Sequence, residues 1–313
     1  MRVVPPILID DSKLVSSSAA EPTAGSPSTE SVWNSGATYA LGAIVISTST
    51  HRTYESLQAA NLNNPLPVLP ETSTAWWLDM GPTNKWAMFD LYRNTQTISP
   101  SPLVVVVSPG DRINAVGLSR LNGTSLTISL DAVGSPAVNY YTHSEQLVVR
   151  DALVDNWFDW FFGAFISKTE LAQFDLPPFA SAKLTVTITN TGGPSACGGM
   201  VIGTAKTIGQ AQRDAQLDLL QFSVITRDLF GEATLIPRRS IPTAQYRLLL
   251  PAGSVQSVYD LLAGLDAVPA LYSAAEDTEH VLFAPLLIFG IYRSVSFKVA
   301  DPDSELDLKI EAI

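Results

Sequence analysis

Asp151, Asp155 and Asp159 are spaced four apart and run into Trp157-Phe158-Asp159-Trp160-Phe161-Phe162. Two carboxyl groups flanking a sugar bond would make a glycosidase, one serving as acid and the other as base or nucleophile. Glu170 is the next carboxylate that could join such a pair. The stretch from Trp157 to Phe162 holds too many aromatics for one helical face. That density predicts a strand packed on both sides, with solvated carboxylates beside it. Asp301-Pro302-Asp303-Ser304-Glu305 has the charge density of a calcium loop but lacks the glycine and ligand spacing, so a polar β-turn is expected. Ser195-Ala196-Cys197 and His143 do not combine into a nucleophile and base, because Cys197 lies in an apolar glycine-rich strand.

Composition narrows the function classes. The chain has 313 residues, 46% hydrophobic and 16% charged, with a net charge of −11. Nucleic acid is not an expected partner, since phosphate binding needs clustered cations and Arg238-Arg239 is the sole such cluster. Cys197 is the one cysteine, which excludes an internal disulfide or a cysteine-based zinc site. His51, His143 and His280 are far apart, and neither a metal nor a cofactor is expected. Met1-Arg2-Val3-Val4-Pro5-Pro6 lacks the apolar run of a secretory signal. Val281 to Tyr292 is too short for a membrane span and contains Pro285. Synthesis in a bacterial-type cytoplasm fits these features.

The elements that must position these residues divide into four regions. Residues 1–30 are rich in Pro, Ser and Ala and read as an extended arm lying on a neighbouring subunit. Residues 31–85 read as a small three-stranded module, with strands at Val32-Trp33, Tyr39 to Ile46 and Arg52 to Leu57, closed by Trp76-Trp77. Gly81-Pro82 should interrupt regular structure where the module meets the body. Residues 86–205 have the pattern of an antiparallel β-sandwich. Leu103 to Val107 is a buried strand, Ala182 to Thr189 alternates apolar and polar, and Cys197 to Ile202 should return beside it. Asn122-Gly123-Thr124 matches a glycosylation sequon but reads as a hairpin turn before Thr124 to Leu130. Residues 206–313 read as an α+β unit. Its strands are expected at Leu217 to Thr226, Tyr246 to Leu250, Ala270 to Tyr272, Leu286 to Val299 and Leu306 to Ile313. Its one helix is capped by Ser254, carries Val255, Val258, Tyr259, Leu261 and Leu262 on a stripe, and ends near Gly264. The fold class is therefore mainly β and multi-domain.

Two resemblances add to this reading. The order Trp33, Tyr39, Gly42, Val45, Tyr54, Pro65 and Trp76/Trp77 resembles the chitin-binding type of carbohydrate-binding module. The resemblance implies a compact three-stranded fold and a glycan-stacking role for Trp33, Tyr39, Tyr54, Trp76 and Trp77. Aromatic faces suit sugars because sugar C–H faces are apolar. The family's exposed aromatic pair corresponds here to Leu57-Gln58-Ala59-Ala60, so core packing is favoured for most of these rings, with Trp76 or Trp77 the exposed one. The larger resemblance rests on Gly81 to Asp90, on Cys197 to Gly203 with Thr207-Ile208-Gly209, on Asp228 to Thr234, and on Leu308 to Ile313. These stretches resemble a family of tailed-bacteriophage virion proteins from the tail region, in which a carbohydrate-binding-type module precedes a β-sandwich and an α+β domain. That resemblance implies a non-enzymatic subunit of the baseplate, tail tip or collar. It would form a homo-oligomeric ring and contact other tail proteins. The alternative is an adhesin for host cell-surface polysaccharide.

Overall fold

The alternating run at 182–189 forms the strand Ala182–Thr189 in the computed structural model of the chain, burying Ala182, Leu184, Val186 and Ile188. The structure describes residues 1–21, 31–68, 71, 73–91, 95–133, 138–150, 156–163, 165–212, 214–227, 229–275 and 283–313. Ala182–Thr189 is the middle strand of a five-stranded antiparallel sheet. The order is Asn139–Gln146, Ser125–Ala132, Ala182–Thr189, Leu103–Val107 and Leu14–Ser17. A three-stranded sheet faces it, ordered Leu171–Gln173, Ala115–Ser119 and Gly199–Gly203. The two share one core, in which Val105, Ile128 and Val186 meet Val116, Leu118, Met200 and Ile202. Leu103–Val107 buries its odd-numbered residues and leaves Val104 and Val106 half-buried.

Two local expectations resolve differently. Asn122-Gly123 does not turn a hairpin, since Ala115–Ser119 and Ser125–Ala132 belong to opposite sheets. The segment crosses between the layers. A Cβ on Gly123 would lie 2.6 Å from Ile188 Cγ2, so only glycine lets the backbone approach the core so closely. The turn after Ala182–Thr189 likewise changes sheets: Ser195–Cys197 pairs with Thr97–Ser99, and Gly199–Gly203 with Ala115–Ser119.

The three-stranded sheet is covered on both faces, which explains why nearly all of its residues are buried. Ala115 and Val201 turn away from the sandwich core and join Val4, Phe174, Leu271 and Leu287 in a second cluster. That cluster welds the sandwich to an eight-stranded antiparallel sheet. Its path runs Lys206–Thr207, Arg2–Val4, Ala270–Ser273, Leu287–Lys298, Asp303–Ala312 and Ser240–Pro251, whose far edge carries Gln210–Ala211 and Gln216–Gln221. The helix Val255–Ala263 covers the core of this sheet through Val258 and Leu262. Ser254 precedes the helix but its hydroxyl donates back to the Pro251 carbonyl at 2.8 Å instead of capping. The fold is mainly β, with several antiparallel sheets and this helix near the C-terminal end.

Two stretches of the N-terminal segment, Arg2–Val4 and Leu14–Ser17, are strands in the chain's own sheets. Arg2–Val4 pairs on both edges, with Val3 entering the C-terminal core and Val4 the second cluster, while Leu14–Ser17 edges the sandwich. A two-sided apolar strand gains more from two cores than from solvent. Residues 22–30 lie outside the described set.

The module holds a four-stranded sheet, Ser31–Val32, Ile44–Ser47, Arg52–Ser56 and Trp77–Pro82, beside a small ladder of Thr38–Tyr39 with Asn61–Leu62. Its first pair is parallel. The extra strand arises because Trp77 opens a strand rather than ending the module. Gly81 and Pro82 complete that strand instead of breaking it: Gly81 takes φ of 125° where the register shifts opposite Thr53 and Tyr54.

Candidate functional site

In the module, Trp77 and Tyr54 sit at the centre with 0% and 1% of their surface exposed. The Trp77 indole N–H donates to the Asn64 carbonyl at 3.0 Å, and Tyr39 packs edge-on against its ring with centroids 5.3 Å apart. Trp33, Tyr39 and Trp76 are half-buried around this centre. Of the two adjacent tryptophans, Trp76 is the one with an accessible face, because strand alternation sends Trp77 inward. Leu57 to Ala60 are exposed and non-aromatic, so no ring stands at that edge.

The module is joined to the body by polar contacts made by the N-terminal segment. Glu21 accepts from Thr83 Oγ1 at 2.8 Å and from Trp86 Nε1 at 3.3 Å, and lies 3.2 Å from His51 Nδ1. His51 also meets Asp11 at 3.0 Å through Nε2 and stacks on Trp86 with centroids 4.1 Å apart. Nearby, Arg52 Nε donates to Asp79 Oδ2 at 2.7 Å, and Gly81 N donates to the other oxygen at 2.8 Å.

Two arms carry groups of exposed apolar side chains. The first extends from the sandwich. Strands Val148–Arg150 and Phe165–Ser167 pair, and between them Trp157–Phe162 forms a short helix, not the expected packed strand. Trp157, Phe158, Phe161 and Phe162 are 78%, 70%, 67% and 75% exposed. The helix forms because rings four apart contact one another, Trp157 with Phe161 and Phe158 with Phe162 at 6.2 and 5.0 Å. Asp151 and Asp155 lie outside the described residues, as does the side chain of Asp159. Glu170 lies at the start of Leu171–Gln173, lining a cleft toward the C-terminal sheet.

The second arm overhangs the C-terminal sheet. Gln216–Gln221 pairs with residues 240–245, and the hairpin continues as Val224–Arg227 against Ala233–Ile236. Leu217, Leu219, Ile225, Leu229 and Leu235 are exposed, with Ile225 and Leu235 facing each other across the strands. Asp228, in the stretch carrying the tail-protein resemblance, is outside the described residues.

The remaining candidates are structural. Cys197 is wholly buried and its thiol is pushed up to about 12 by desolvation, so it is not a thiolate at neutral pH. His143 sits 3.5 Å from Glu145 on the outer strand of the sandwich. In the Asp301 to Glu305 segment, Ser304 Oγ closes a turn onto the Ala300 carbonyl at 3.0 Å, and Glu305 meets Lys298 at 3.3 Å. His280 and Val281 lie outside the described residues. No helix among the described residues is long and apolar enough to cross a membrane. Sequence reasoning missed the outward placement of both arms. The available signal was large apolar residues at 157–162 and 217–236 following no period that one buried face could use. No protein-family model and no curated protein matches the chain.

Proposed function

We propose that this chain is a non-enzymatic structural subunit of a tailed-bacteriophage tail, in the baseplate, tail tip or collar. There it assembles with copies of itself and anchors other tail proteins or fibres. The tail attribution rests on the sequence resemblances. The observation that carries the assembly reading is the pair of exposed apolar arms, one on the sandwich and one on the C-terminal sheet. Soluble monomers rarely expose contiguous apolar patches beyond roughly 300–600 Å². Two different patches on one chain also suit a heterologous contact, in which one surface of each copy meets another surface of the next and a ring closes. A homo-oligomeric ring is therefore the partner proposed for the arms, within a virion assembled in the bacterial cytoplasm.

Sedimentation velocity of the full chain tests this. A discrete oligomer is expected, and Ile225→Ser with Leu235→Ser should shift it toward monomer without unfolding it. A wild-type chain that stays monomeric up to about 100 μM, so that any self-contact is weaker than that, would overturn the reading. The second reading, binding of host-surface polysaccharide, is favoured by the half-buried rings of Trp33, Tyr39 and Trp76. It requires Trp76→Ala to abolish a polysaccharide-induced change in sedimentation.

A further inference from the structure

The sandwich and the C-terminal sheet enclose a cleft of about 380 Å³ that has no part in the assembly reading. Arg120 and Glu170 enter it from the three-stranded sheet, and Arg239 from the base of the C-terminal arm. Pro285, Leu287 and Phe289 form an apolar wall. The volume falls within the range of small-molecule sites, roughly 300–1,000 Å³, which are mostly apolar with a few convergent polar groups.

Arg120 is held in an unusual position. Its φ is 51°, in the left-handed region that non-glycine residues seldom occupy. Nη2 donates to the Gly198 carbonyl at 2.6 Å. Position 198 must be glycine, since a Cβ there would stand 2.3 Å from Arg120 Nε. This arrangement leaves Nη1 buried with no hydrogen-bond partner. A buried guanidinium donor without an acceptor is costly, and the natural remedy is an anionic oxygen. Arg239 donates through Nη2 to the main-chain oxygen of Ile313 at 2.6 Å, and a guanidinium has further donors to offer. Arg120 and Glu170 form no ion pair.

We propose that this cleft binds a small organic carboxylate with an apolar body, its oxygens on Arg120 and Arg239 and its body against Pro285, Leu287 and Phe289. Desolvation, and then the neighbouring charge of Arg239, lower the pKa of Arg120, with Cys197, Glu170 and Asp90 opposing. Glu170 is raised to about 6 by burial, with Arg120 opposing. Below that pH it is neutral and can donate to a ligand carboxylate; above it, its charge repels one. Asp90 and the neutral Cys197 are the other titratable groups felt at Arg120, and Arg120 is the charge felt at Glu170. A dianion such as phosphate suits the cleft less well, because it would face Glu170 and an apolar wall.

Calorimetric titration of the full chain with benzoate, from about pH 5.5 to about pH 8, tests the site, since Glu170 is the side chain of the cleft lining that changes charge over that range. Binding is expected to weaken roughly tenfold across that range. Arg239→Gln should weaken it by a similar factor, and Glu170→Gln should remove the pH dependence. Arg239 is exposed, so its replacement leaves the fold in place even if Arg120→Gln does not. Absence of benzoate binding at either pH would overturn the proposal. So would binding that survives Arg239→Gln unchanged, or inorganic phosphate binding as tightly as benzoate.

Discussion

The module and the sandwich arm use the same residue types in opposite ways. In the module, Trp77 and Tyr54 lie at the centre and the half-buried rings close over them. At the tip of the arm, Trp157, Phe158, Phe161 and Phe162 are all more than half exposed. The difference lies in what stands opposite each ring. The module strands alternate, so one face collects rings and the ladder Thr38–Tyr39 with Asn61–Leu62 closes against it. The arm is one ladder of three pairs carrying a helix of six residues, with no second layer among the described residues to accept the rings. Aromatic content alone therefore says nothing about burial; a facing layer decides it.

The sharpest way to break this comparison is Trp77→Ala. Removing a fully buried indole costs about 4–5 kcal/mol as transfer and cavity contributions combine. It also orphans the Asn64 carbonyl. Urea unfolding should show the module melting well before the body. A loss below about 1 kcal/mol, typical of surface sites, would mean the module has no aromatic core.

Asp79→Ala follows in size. The Asp79 side chain is 1% exposed and Arg52 14%, so the substitution strands a largely desolvated guanidinium. The expected cost is about 3 kcal/mol, the lower end for breaking a buried ion pair. The same unfolding experiment reads it. An unchanged midpoint would show that solvent, not Asp79, compensates Arg52.

The fold was largely legible where period and burial agree. Ala182–Thr189 alternates and buries every second residue, and four of the five strands expected after residue 206 fall on observed strands, while Leu217 to Thr226 divides into Gln216–Gln221 and Val224–Arg227. Legibility failed where a segment serves two layers or none. Gly123 looked like half of a hairpin turn, but its missing side chain serves a crossing between sheets. The N-terminal segment reads as unable to fold alone because its partners lie far along the chain, as in Arg2 opposite Ser273. Trp157 to Phe162 looked like core because density of apolar residues predicts burial only when another layer exists. In the cleft, Arg120 and Glu170 carry no local motif; their neighbours come from separate sheets.

A polar group moved out of water sharpens the comparison from the other side. Glu170 has a folded-state pKa of about 6 against an ordinary 4.5, because burial disfavours its charge. The folded chain therefore binds this proton more tightly than the unfolded chain. The penalty is fully present above about pH 6, shrinks as pH falls, and is gone below the unfolded value. Glu170→Gln should raise stability near neutral pH by about 1–2 kcal/mol, following the 1.36 kcal/mol per pKa unit of linkage. Near about pH 4 the two chains should unfold alike. A variant less stable at neutral pH would mean that Glu170 is compensated there by a partner.

The smallest expected effect on stability is the most informative about assembly. Trp157→Ser with Phe161→Ser removes two rings that stack on each other, at 6.2 Å, and are 78% and 67% exposed. Because solvent already surrounds most of their surface, the unfolded chain offers them nearly the same environment. The change in unfolding free energy of the dissociated chain should stay within about 0.5 kcal/mol, as for surface substitutions. In the oligomer the same rings would be anchors, where truncating a desolvated aromatic costs about 2 kcal/mol or more of association. Sedimentation should then show dissociation while urea unfolding of the monomer is unmoved. If instead the double variant lost monomer stability on the scale of Trp77→Ala, the arm would fold back as a core of its own. Equal stability with unchanged sedimentation would place the contact between copies on the C-terminal arm alone.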